Sequence, residues 1–372
     1  MGKEPLLFVA SCEIDPDVRT GVATKVFNQI AVLGKEYDVY LIAFSKNGIL
    51  LFHSGKEEYV RSENRRKERI RQCGILCDKY GIRKCYIRFS ALEPHFIMML
   101  KALKSRGVDI VMEIPTFPYD DELKDSLKHR VVLLCDRALR GSLKKFVNRI
   151  VTYSEDKSIF GIDCINIANG IDVFAQRICS RSEHRDEIVF TGVAKISPWH
   201  GYDRMIRGIA MYSGQPDVVF NVVGDGPALE ECRSLAEELK VGDRVSFKGF
   251  RSGKELDEIY DDTDVGVDCL ALHRKGMTRV SSLKSREYAA RGLPILTANY
   301  FDTIPDDWDY LIKEDADESP INVKHAVDCF LKIRERGEYK KEIRSFAEDK
   351  LDINVTFRPV LRYFGTEASE IN

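Results

Sequence analysis

The 372-residue chain lacks any apolar run near the roughly 20 residues that a membrane-spanning helix needs. Its first residues, MGKEPLLFVASC, hold an apolar run too short for a signal peptide, and the pattern is that of a strand. Ten cysteines occur without one CxxC pair, which argues against the common zinc and redox motifs and favours reduced thiols. We therefore expect a cytoplasmic protein.

The net charge is small, at −2, but it is divided unevenly along the chain. Residues 1–178 hold 29 Lys and Arg against 23 Asp and Glu, whereas residues 179–372 hold 28 against 36. The positive excess is concentrated in residues 56–84, the basic segment, with ten Lys or Arg and five Asp or Glu. Such segments are most often solvated helix faces. The alternative is peripheral contact with anionic headgroups at the inner face of a membrane, or with an anionic acceptor. The residues involved would be Arg65, Arg66, Arg69 and Arg71. No nucleic-acid partner is expected.

Strand and helix patterns alternate along both halves of the chain. Continuous apolar runs at 5–12 and 109–114 are typical of parallel strands buried on both faces, and the pattern restarts at 186–192. This alternation predicts an α/β fold with two doubly wound Rossmann-like domains facing across a cleft. The first domain is predicted at 1–178 and the second at 183–336, joined by a polar linker.

Ligands of doubly wound sheets bind beyond the carboxyl ends of the strands, so the loops there are candidate sites. In FTGVAKISPWHGYDR (190–204), Gly192 lets the backbone turn close to a ligand. Lys195, His200 and Arg204 follow as three candidate cations around a diphosphate. Other strand ends add Gly224 in VVGDGP and His273 and Arg274 in LALHRKGM. The glycine motif alone is equally compatible with a tight turn.

The stretch SSLKSREYAARGLPIL (281–296) has the pattern of a short helix that runs into a buried strand. Lys284 in its first turn is unfavourable beside the positive end of the helix unless an anion binds there. Glu287, one turn further, would suit hydrogen bonds to ribose hydroxyls. The alternative for Glu287 is an ordinary surface pair with Arg291 at i,i+4.

Several colinear motifs resemble those of the retaining nucleotide-sugar glycosyltransferases of family four, which have the B-type fold. They are NGID (169–172), FTGVAKISPWHGYDRMI, VVGDGP, FKGF and SSLKSREYAARGLPI. VMEIPTFPYDDEL (111–123) and LALHRKG resemble the branch found in bacterial surface-polysaccharide clusters. The resemblance spans nearly the whole chain. It implies a hexosyltransferase-type enzyme whose second domain holds a UDP- or GDP-sugar and whose first domain faces a saccharide or lipid-linked acceptor. The final helices, 337–372, would cross back onto the first domain.

The resemblance also implies roles for individual residues. Glu287 matches the ribose-binding glutamate, and Leu283 and Lys284 match the amides that seat the diphosphate. The other matched positions are Gly192 in the first loop of the second domain, His200 where Lys is usual, Phe250 near the base, and Gly21 near the transferred sugar.

The sequence departs from the family pattern at three positions. Arg279 stands where a glutamate is common, Val193 stands where an arginine is usual, and Arg88 occupies the stretch where the first domain often presents a histidine. These departures keep open a non-catalytic nucleotide-sugar- or partner-binding relative on the same fold. A phosphorylase-like or epimerase activity is less favoured because the sequence has no cofactor-lysine signature.

The expected mechanism needs neither a metal nor a cofactor besides the nucleotide sugar. Cations and the helix N-terminus would stabilise the departing nucleoside diphosphate, where negative charge develops. DVGVDC (264–269) has the pattern of a buried strand rather than of a metal-binding acid pair. Glu113 and Asp120 are the candidates for orienting an acceptor hydroxyl, with Arg88 as a further catalytic candidate. The alternative for Glu113 is a structural role at a strand end.

Overall fold

The computed structural model describes residues 2–14, 21–120, 127–180 and 186–366, which form two compact units. Unit 1 comprises Met1–Ile167 and Thr356–Asn372, and unit 2 comprises Ala168–Val355. The division lies earlier than the predicted end of the first domain at residue 178. The reason is packing, since Val173 and Cys179 are buried in the core of unit 2.

Unit 1 is built on a nine-stranded sheet. Its strands are β1 (Glu4–Glu13), β2 (Tyr37–Ser45), β3 (Gly48–His53), β4 (Lys56–Val60), β5 (Lys84–Arg88), β6 (Asp109–Ile114), β7 (Arg149–Thr152), β8 (Ser158–Ile159) and β9 (Ile162–Asn166). The helices among them are α1 (Gly21–Leu33), α2 (Arg65–Tyr80), α3 (Pro94–Lys104) and α4 (Leu127–Leu139), followed by a 3₁₀ helix at Arg140–Lys145.

The strand order in unit 1 is β4-β3-β2-β1-β5-β6-β7-β9-β8. The six strands from β2 to β9 in this order pair in parallel, whereas β3, β4 and β8 pair antiparallel. All residues from Leu6 to Ala10 in β1 are fully buried, as expected for a central parallel strand. Because β2 lies on one side of β1 and β5 on the other, the strand order reverses at β1/β5. Such a reversal opens a crevice at the carboxyl ends of the two strands.

Unit 2 contains the remaining strands. They are β10 (Glu187–Val193), β11 (Asp217–Val223), β12 (Val245–Gly249), β13 (Val265–Val267), β14 (Arg279–Val280), β15 (Ile295–Thr297), β16 (Tyr300–Phe301) and β17 (Leu311–Lys313). Its helices are α5 (Tyr202–Met211), α6 (Leu229–Glu238), α7 (Gly253–Asp261), α8 (Leu283–Ala290), α9 (Val323–Arg334), α10 (Tyr339–Lys350) and α11 (Ile353–Thr356), with 3₁₀ turns at Pro198–His200 and Leu272–Lys275.

The main sheet of unit 2 has the order β12-β11-β10-β13-β15-β17, and its strands pair in parallel. Numbered along the chain this is 3-2-1-4-5-6, the order of a dinucleotide-binding Rossmann sheet, with the reversal between β10 and β13. The predicted α/β fold with two doubly wound, Rossmann-like units is confirmed.

The C-terminal helices divide between the units. The last helix, α12 (Arg358–Thr366), belongs to unit 1, where Phe364 is buried with its ring centroid 6.1 Å from that of Tyr37. In contrast, α10 belongs to unit 2, where its fully buried Ile343 and Ala347 join the core and the helix packs against α8. The prediction that residues from 337 onward return to the first domain therefore holds for only part of that segment.

All ten cysteines are free thiols, and both units bury some of them. Burial raises the pKa of Cys73 in unit 1 to about 12 and that of Cys232 in unit 2 to about 12. In the described ranges, no helix combines the length and the apolar character that crossing a membrane requires.

Candidate functional site

A groove of about 720 Å³ lies at the carboxyl ends of β10, β11 and β12 in unit 2. Three predicted donor-binding residues, Lys195, Gly224 and Phe250, line it together. The rest of its lining is Val193, Ala194, Val223, Asp225, Gly226, Pro227 and Arg251. The other predicted donor-binding residues of unit 2 lie outside this lining.

Two glycines fix the backbone beside the groove. Gly224 has φ +122°, and a Cβ there would lie 1.8 Å from the carbonyl oxygen of Ala194. A Cβ at Gly192 would lie 2.6 Å from the hydroxyl oxygen of Tyr202. Both positions therefore exclude any side chain. Gly192 lets β10 pack closely on Tyr202, and Gly224 lets the turn after β11 approach Ala194, so the tight-turn reading applies to Gly224.

The loop after β10 offers fewer cations than its sequence predicts. Lys195 is exposed in the groove. His200 is buried, and its Nδ1 accepts a hydrogen bond of 3.0 Å from the backbone N–H of Ser197. Burial, followed by the charge of Lys284, lowers the pKa of His200 to about 3, so the ring is neutral at neutral pH. The prediction that His200 is a cation beside the diphosphate is therefore wrong.

Arg204, the third candidate cation, is only 1% exposed. Its guanidinium donates to the carbonyl oxygens of Ser319, at 2.6 Å, and Asp315, at 2.9 Å, and also to that of Leu270. These bonds use the donors that an anion would need. Arg204 holds loops together and does not present its charge to a ligand, which corrects the prediction.

The pair after β13 is also engaged within the unit. His273 Nε2 lies 2.7 Å from a carboxylate oxygen of Glu318. Arg274 pairs with Glu318 at 2.5 Å and with Asp203 at 2.8 Å, and donates to the carbonyl oxygen of Pro198 at 2.7 Å. As placed, both side chains belong to an ion-pair network rather than to the groove, which differs from their predicted role.

The N-terminus of α8 explains the first-turn lysine. Asp268, fully buried directly after β13, lies 3.1 Å from Lys284 Nζ and accepts a hydrogen bond of 3.2 Å from the hydroxyl of Ser282, the N-cap. Burial alone would lower the pKa of Lys284, but the Asp268 carboxylate outweighs it and raises that pKa. The charge of Lys284 is thus balanced by an internal carboxylate, which sequence reasoning missed because Asp268 resembled part of a buried strand.

The first amides of α8, from Leu283 and Lys284, have no partner inside the helix, as at any helix start. The Leu283 side chain is 44% exposed, so this end of the helix is open to solvent. Arg286, by contrast, is fully buried and donates to the carbonyl oxygen of Ser282 at 2.7 Å and to Asp302 at 2.6 Å. The helix start can therefore offer its free amides to an anion, while the Lys284 ammonium lies against Asp268.

Glu287 forms the predicted pair with Arg291, whose Nε and Nη2 both lie 3.3 Å from Glu287 Oε1. Arg291 also pairs with Asp257 at 2.8 Å and donates to Gln176 at 2.8 Å. Burial raises the pKa of Glu287, against the opposing effect of Arg291. The predicted pair of Glu287 with Arg291 therefore forms, but Arg291 is buried, so it is not the surface pair that was expected. The role of Glu287 in ribose binding stays a prediction.

In unit 1 the candidate Glu113 lies fully buried at the end of β6. Its carboxylate accepts hydrogen bonds from Gln29 at 2.8 Å, from Tyr86 and Tyr153 at 2.9 Å each, and from Arg88. Burial alone would raise the pKa of Glu113, but Arg88, Lys25 and the hydrogen bonds outweigh it and lower that pKa. A charged carboxylate with four donors has no access to an acceptor hydroxyl, so the geometry favours the structural reading of Glu113.

Of the remaining candidates of unit 1, Arg88 and Asp120 form ion pairs within the unit, and Gly21 begins a helix. Arg88 is 8% exposed and faces the Glu113 carboxylate. Asp120 pairs with Arg137 at 2.6 Å and Arg140 at 2.5 Å. Gly21 is the first residue of α1, and the preceding loop lies outside the described residues.

The basic segment forms β4, α2 and the first residue of β5. Arg65 pairs with Glu13 at 3.3 Å, Arg66 with Glu93 at 2.6 Å and Arg71 with Glu68 at 2.7 Å, while Arg69 is buried. Three of the four arginines expected to meet headgroups thus have acidic partners. Across the described ranges, no group of three His, Cys, Asp or Glu side chains is placed to hold a metal ion.

The region that contains the groove matches a known protein family model. Residues 177–306 match the family model described as glycosyl transferases group 1. This match covers about a third of the chain and contains β10 to β16, and no curated protein matches the sequence.

Solved structures match over nearly the whole chain. A glycosyltransferase from Rickettsia africae is 11% identical with a TM-score of 0.64, and the alignment covers 98% of both chains. The catalytic domain of starch synthase IV from Arabidopsis thaliana, bound to ADP and acarbose, is 12% identical with a TM-score of 0.59 over 98% of both chains. WaaG, a glycosyltransferase involved in lipopolysaccharide biosynthesis, is 12% identical with a TM-score of 0.57 over 96% of this chain and 98% of that one. At these identities the likeness establishes the fold, that of glycosyltransferases with two Rossmann-like domains.

Proposed function

We propose that the chain is a retaining glycosyltransferase that moves a sugar from a UDP- or GDP-sugar to a saccharide or lipid-linked acceptor in the synthesis of a bacterial surface polysaccharide. The groove of unit 2 carries this proposal. It lies at the carboxyl ends of the strands, within the region that matches the glycosyl transferases group 1 model. The structural matches to glycosyltransferases, WaaG of lipopolysaccharide biosynthesis among them, support the same reading.

In this proposal unit 2 holds the donor. Phe250, 72% exposed in the groove, offers a face on which a nucleobase can stack, and Arg251 lies beside it. The ammonium of Lys195 and the amides at the start of α8 would stabilise the departing nucleoside diphosphate without a metal. Attack from the front face would retain the anomeric configuration without a committed protein nucleophile.

Thermal unfolding with UDP, GDP or ADP in the presence of a chelator tests the donor site. At about 100 times the dissociation constant, a bound nucleotide adds about 2.7 kcal/mol to the free energy of unfolding. Phe250→Ala should weaken the effect, whereas Phe174→Ala, 68% exposed in the same unit but outside the groove, should not. Stabilisation only with added manganese or magnesium would reject the metal-free reading, and none with any nucleotide would reject the donor site.

A second candidate function is nucleotide-sugar binding without transfer. It is favoured because several predicted cations of unit 2 are paired within the unit and are not free to stabilise a leaving group. Arg204 and Arg274 are bound to carbonyl and carboxylate groups, and His200 is neutral. Arg279, where the family commonly has glutamate, donates to the carbonyl oxygen of Phe301 at 2.6 Å. Release of nucleoside diphosphate in the presence of an acceptor separates the two functions, because tight binding with no turnover identifies the non-catalytic relative.

A further inference from the structure

A second pocket lies wholly within unit 1 and has a volume of about 540 Å³. Ser11 and Glu13 at the end of β1 line it together with Ser90, which follows β5. The rest of the lining comes from the start of α2 with the two residues before it, and from Phe44, Ala91, Leu92, Glu93, Phe96 and Val132. This is the reversal of strand order in unit 1, the place where doubly wound sheets bind ligands.

Arg69 places a guanidinium with unsatisfied hydrogen-bond donors in this pocket. The side chain is 2% exposed, and no hydrogen-bond acceptor reaches its buried Nε or Nη1. Its guanidinium carbon lies 4.3 Å from the centroid of the Phe44 ring, which holds it in place. Buried donors without an acceptor are unfavourable, so this arrangement favours an anion that can accept hydrogen bonds from them.

The lining also holds three carboxylates, those of Glu13, Glu63 and Glu93, beside its three arginines. Glu13 and Glu93 are paired with Arg65 and Arg66, and Glu63 is exposed. None of the three accepts a hydrogen bond from the buried Nε or Nη1 of Arg69. The hydroxyl of Ser11 is buried without a hydrogen-bond partner in the same pocket. The 16-residue helix α2 also begins here, and its positive end favours an anion.

We propose that this pocket binds a phosphate group of a phosphorylated acceptor, with the Arg69 guanidinium as its charged partner and the Ser11 hydroxyl as a further donor. Guanidinium donors match phosphate oxygens in pairs. The pocket exceeds the size of a lone anion, so the phosphate would belong to a larger molecule. That this molecule is the acceptor rests on the proposed transferase function, whereas phosphate binding itself does not.

Titration with inorganic phosphate and pyrophosphate tests the site directly, by calorimetry at constant ionic strength and in saturating UDP, which occupies the donor site. Arg69→Met should lower the affinity about 10- to 100-fold, the loss of a hydrogen bond to a charged group. Arg71→Met, on an exposed arginine of the same helix, is the matched control and should bind like wild type. Equal affinity in wild type and Arg69→Met, or no binding by wild type, would overturn the proposal.

Two further variants keep the test decisive if Arg69→Met does not fold. Arg69→Lys keeps the charge but loses the planar fork, and Ser11→Ala removes only a hydroxyl. Both should bind phosphate more weakly than wild type while circular dichroism shows an unchanged fold. Wild-type affinity in both would overturn the site. UDP binding measured on the same samples shows whether the donor site has failed separately.

The source of the phosphate is distinguished by two probes. The first is soluble glucose 1-phosphate, and the second is neutral phosphatidylcholine vesicles with and without polyprenyl diphosphate. Binding of the soluble probe that is lost in Arg69→Met supports a soluble phosphosugar. Sedimentation with the doped vesicles alone, again lost in Arg69→Met, supports a lipid-linked diphosphate. If neither probe distinguishes Arg69→Met from wild type, the pocket does not bind a phosphorylated acceptor.

Discussion

At the scale of single residues, His200 shows how burial reverses the chemistry that a sequence suggests. Its position beside Lys195 predicts a cation, yet the folded ring accepts a backbone hydrogen bond and stays neutral. The pKa is about 3 in the folded chain against an ordinary value of 6.5. Between these values the unfolded state binds a proton that the native state does not. The stability contributed by neutral His200 is therefore present above pH 6.5 and lost as the pH falls towards 3.

The His200→Asn variant tests this because an amide oxygen can replace Nδ1 as acceptor while the titration disappears. Between about pH 7 and about pH 5, the free energy of unfolding of wild type should fall by about 2 kcal/mol more than that of the variant. Urea unfolding across this range measures the difference. His95→Asn, in unit 1, controls for the loss of a histidine. Parallel pH profiles for wild type and His200→Asn would show that His200 titrates normally.

Glu287 is the residue for which the sequence left two roles open. If it binds the ribose, Glu287→Ala should weaken UDP or GDP binding by about 1.5–3 kcal/mol, the value of a hydrogen bond to a charged group. Asp257→Ala removes another carboxylate from the same Arg291 and is the matched control. Calorimetric titration of both variants decides. If they bind nucleotide equally well, Glu287 serves only to hold Arg291.

The structural roles of the glycines could be predicted from the sequence better than the partners of the charged side chains. Gly192 and Gly224 occur at strand ends, and their backbone needs can be inferred from that position alone. The partners of Arg274 and Lys284 could not be inferred, because Glu318 lies 44 residues from Arg274 and Asp268 lies 16 residues from Lys284. A charge is free or paired according to residues that only the fold brings together.

At the scale of elements, α8 depends on an ion pair that its own sequence does not contain. Lys284→Met leaves the buried Asp268 carboxylate without its cation, which should lower the free energy of unfolding by about 3 kcal/mol. In the double variant Lys284→Met/Asp268→Asn no charge remains, so part of that loss should be recovered. Urea unfolding of both single variants and the double variant gives the coupling energy. A coupling energy near zero would mean that the Lys284–Asp268 ion pair does not stabilise the fold.

Buried parallel strands with a continuous apolar pattern were predictable, and the antiparallel hairpin at the sheet edge was not. The pattern of six residues at 109–114 coincides with β6, and the second-half run 186–192 lies within one residue of β10. The hairpin of β3 and β4 was missed because its outer strand, KEEYV, is largely exposed and charged. Such an edge strand has no buried face, so its sequence lacks the apolar pattern by which strands are predicted.

At the scale of the whole molecule, the fold class followed from alternation, because parallel strands buried on both faces need helices to cover them. The route of the C-terminal chain did not follow. Helices α10 and α12 both have apolar faces, and nothing in either face states which unit it covers. The unit that each helix joins is therefore a property of the packed structure.

The uneven charge of the two halves leads to a prediction about membranes. The structure leaves Lys67 exposed on α2 but pairs most of the arginines around it, so the attraction should be weak. We expect partial sedimentation with anionic vesicles at low salt, worth about 1 kcal/mol per nearby cation and lost at higher salt. Lys67→Glu should reduce it, and Lys254→Glu, 90% exposed in unit 2, is the control. Equal pelleting with neutral vesicles would mean that the segment is a solvated face.

The buried thiols can report local opening of the folded protein. Cys73, Cys77 and Cys85 lie inside unit 1, and Cys179, Cys232 and Cys269 lie inside unit 2. A thiol reagent reaches such a sulfur only when the surrounding structure opens, and only the thiolate reacts. Labelling rates read by mass spectrometry would therefore report the opening of each half separately, without any engineered probe. A nucleotide bound to one half would be seen as slower labelling of that half's own cysteines.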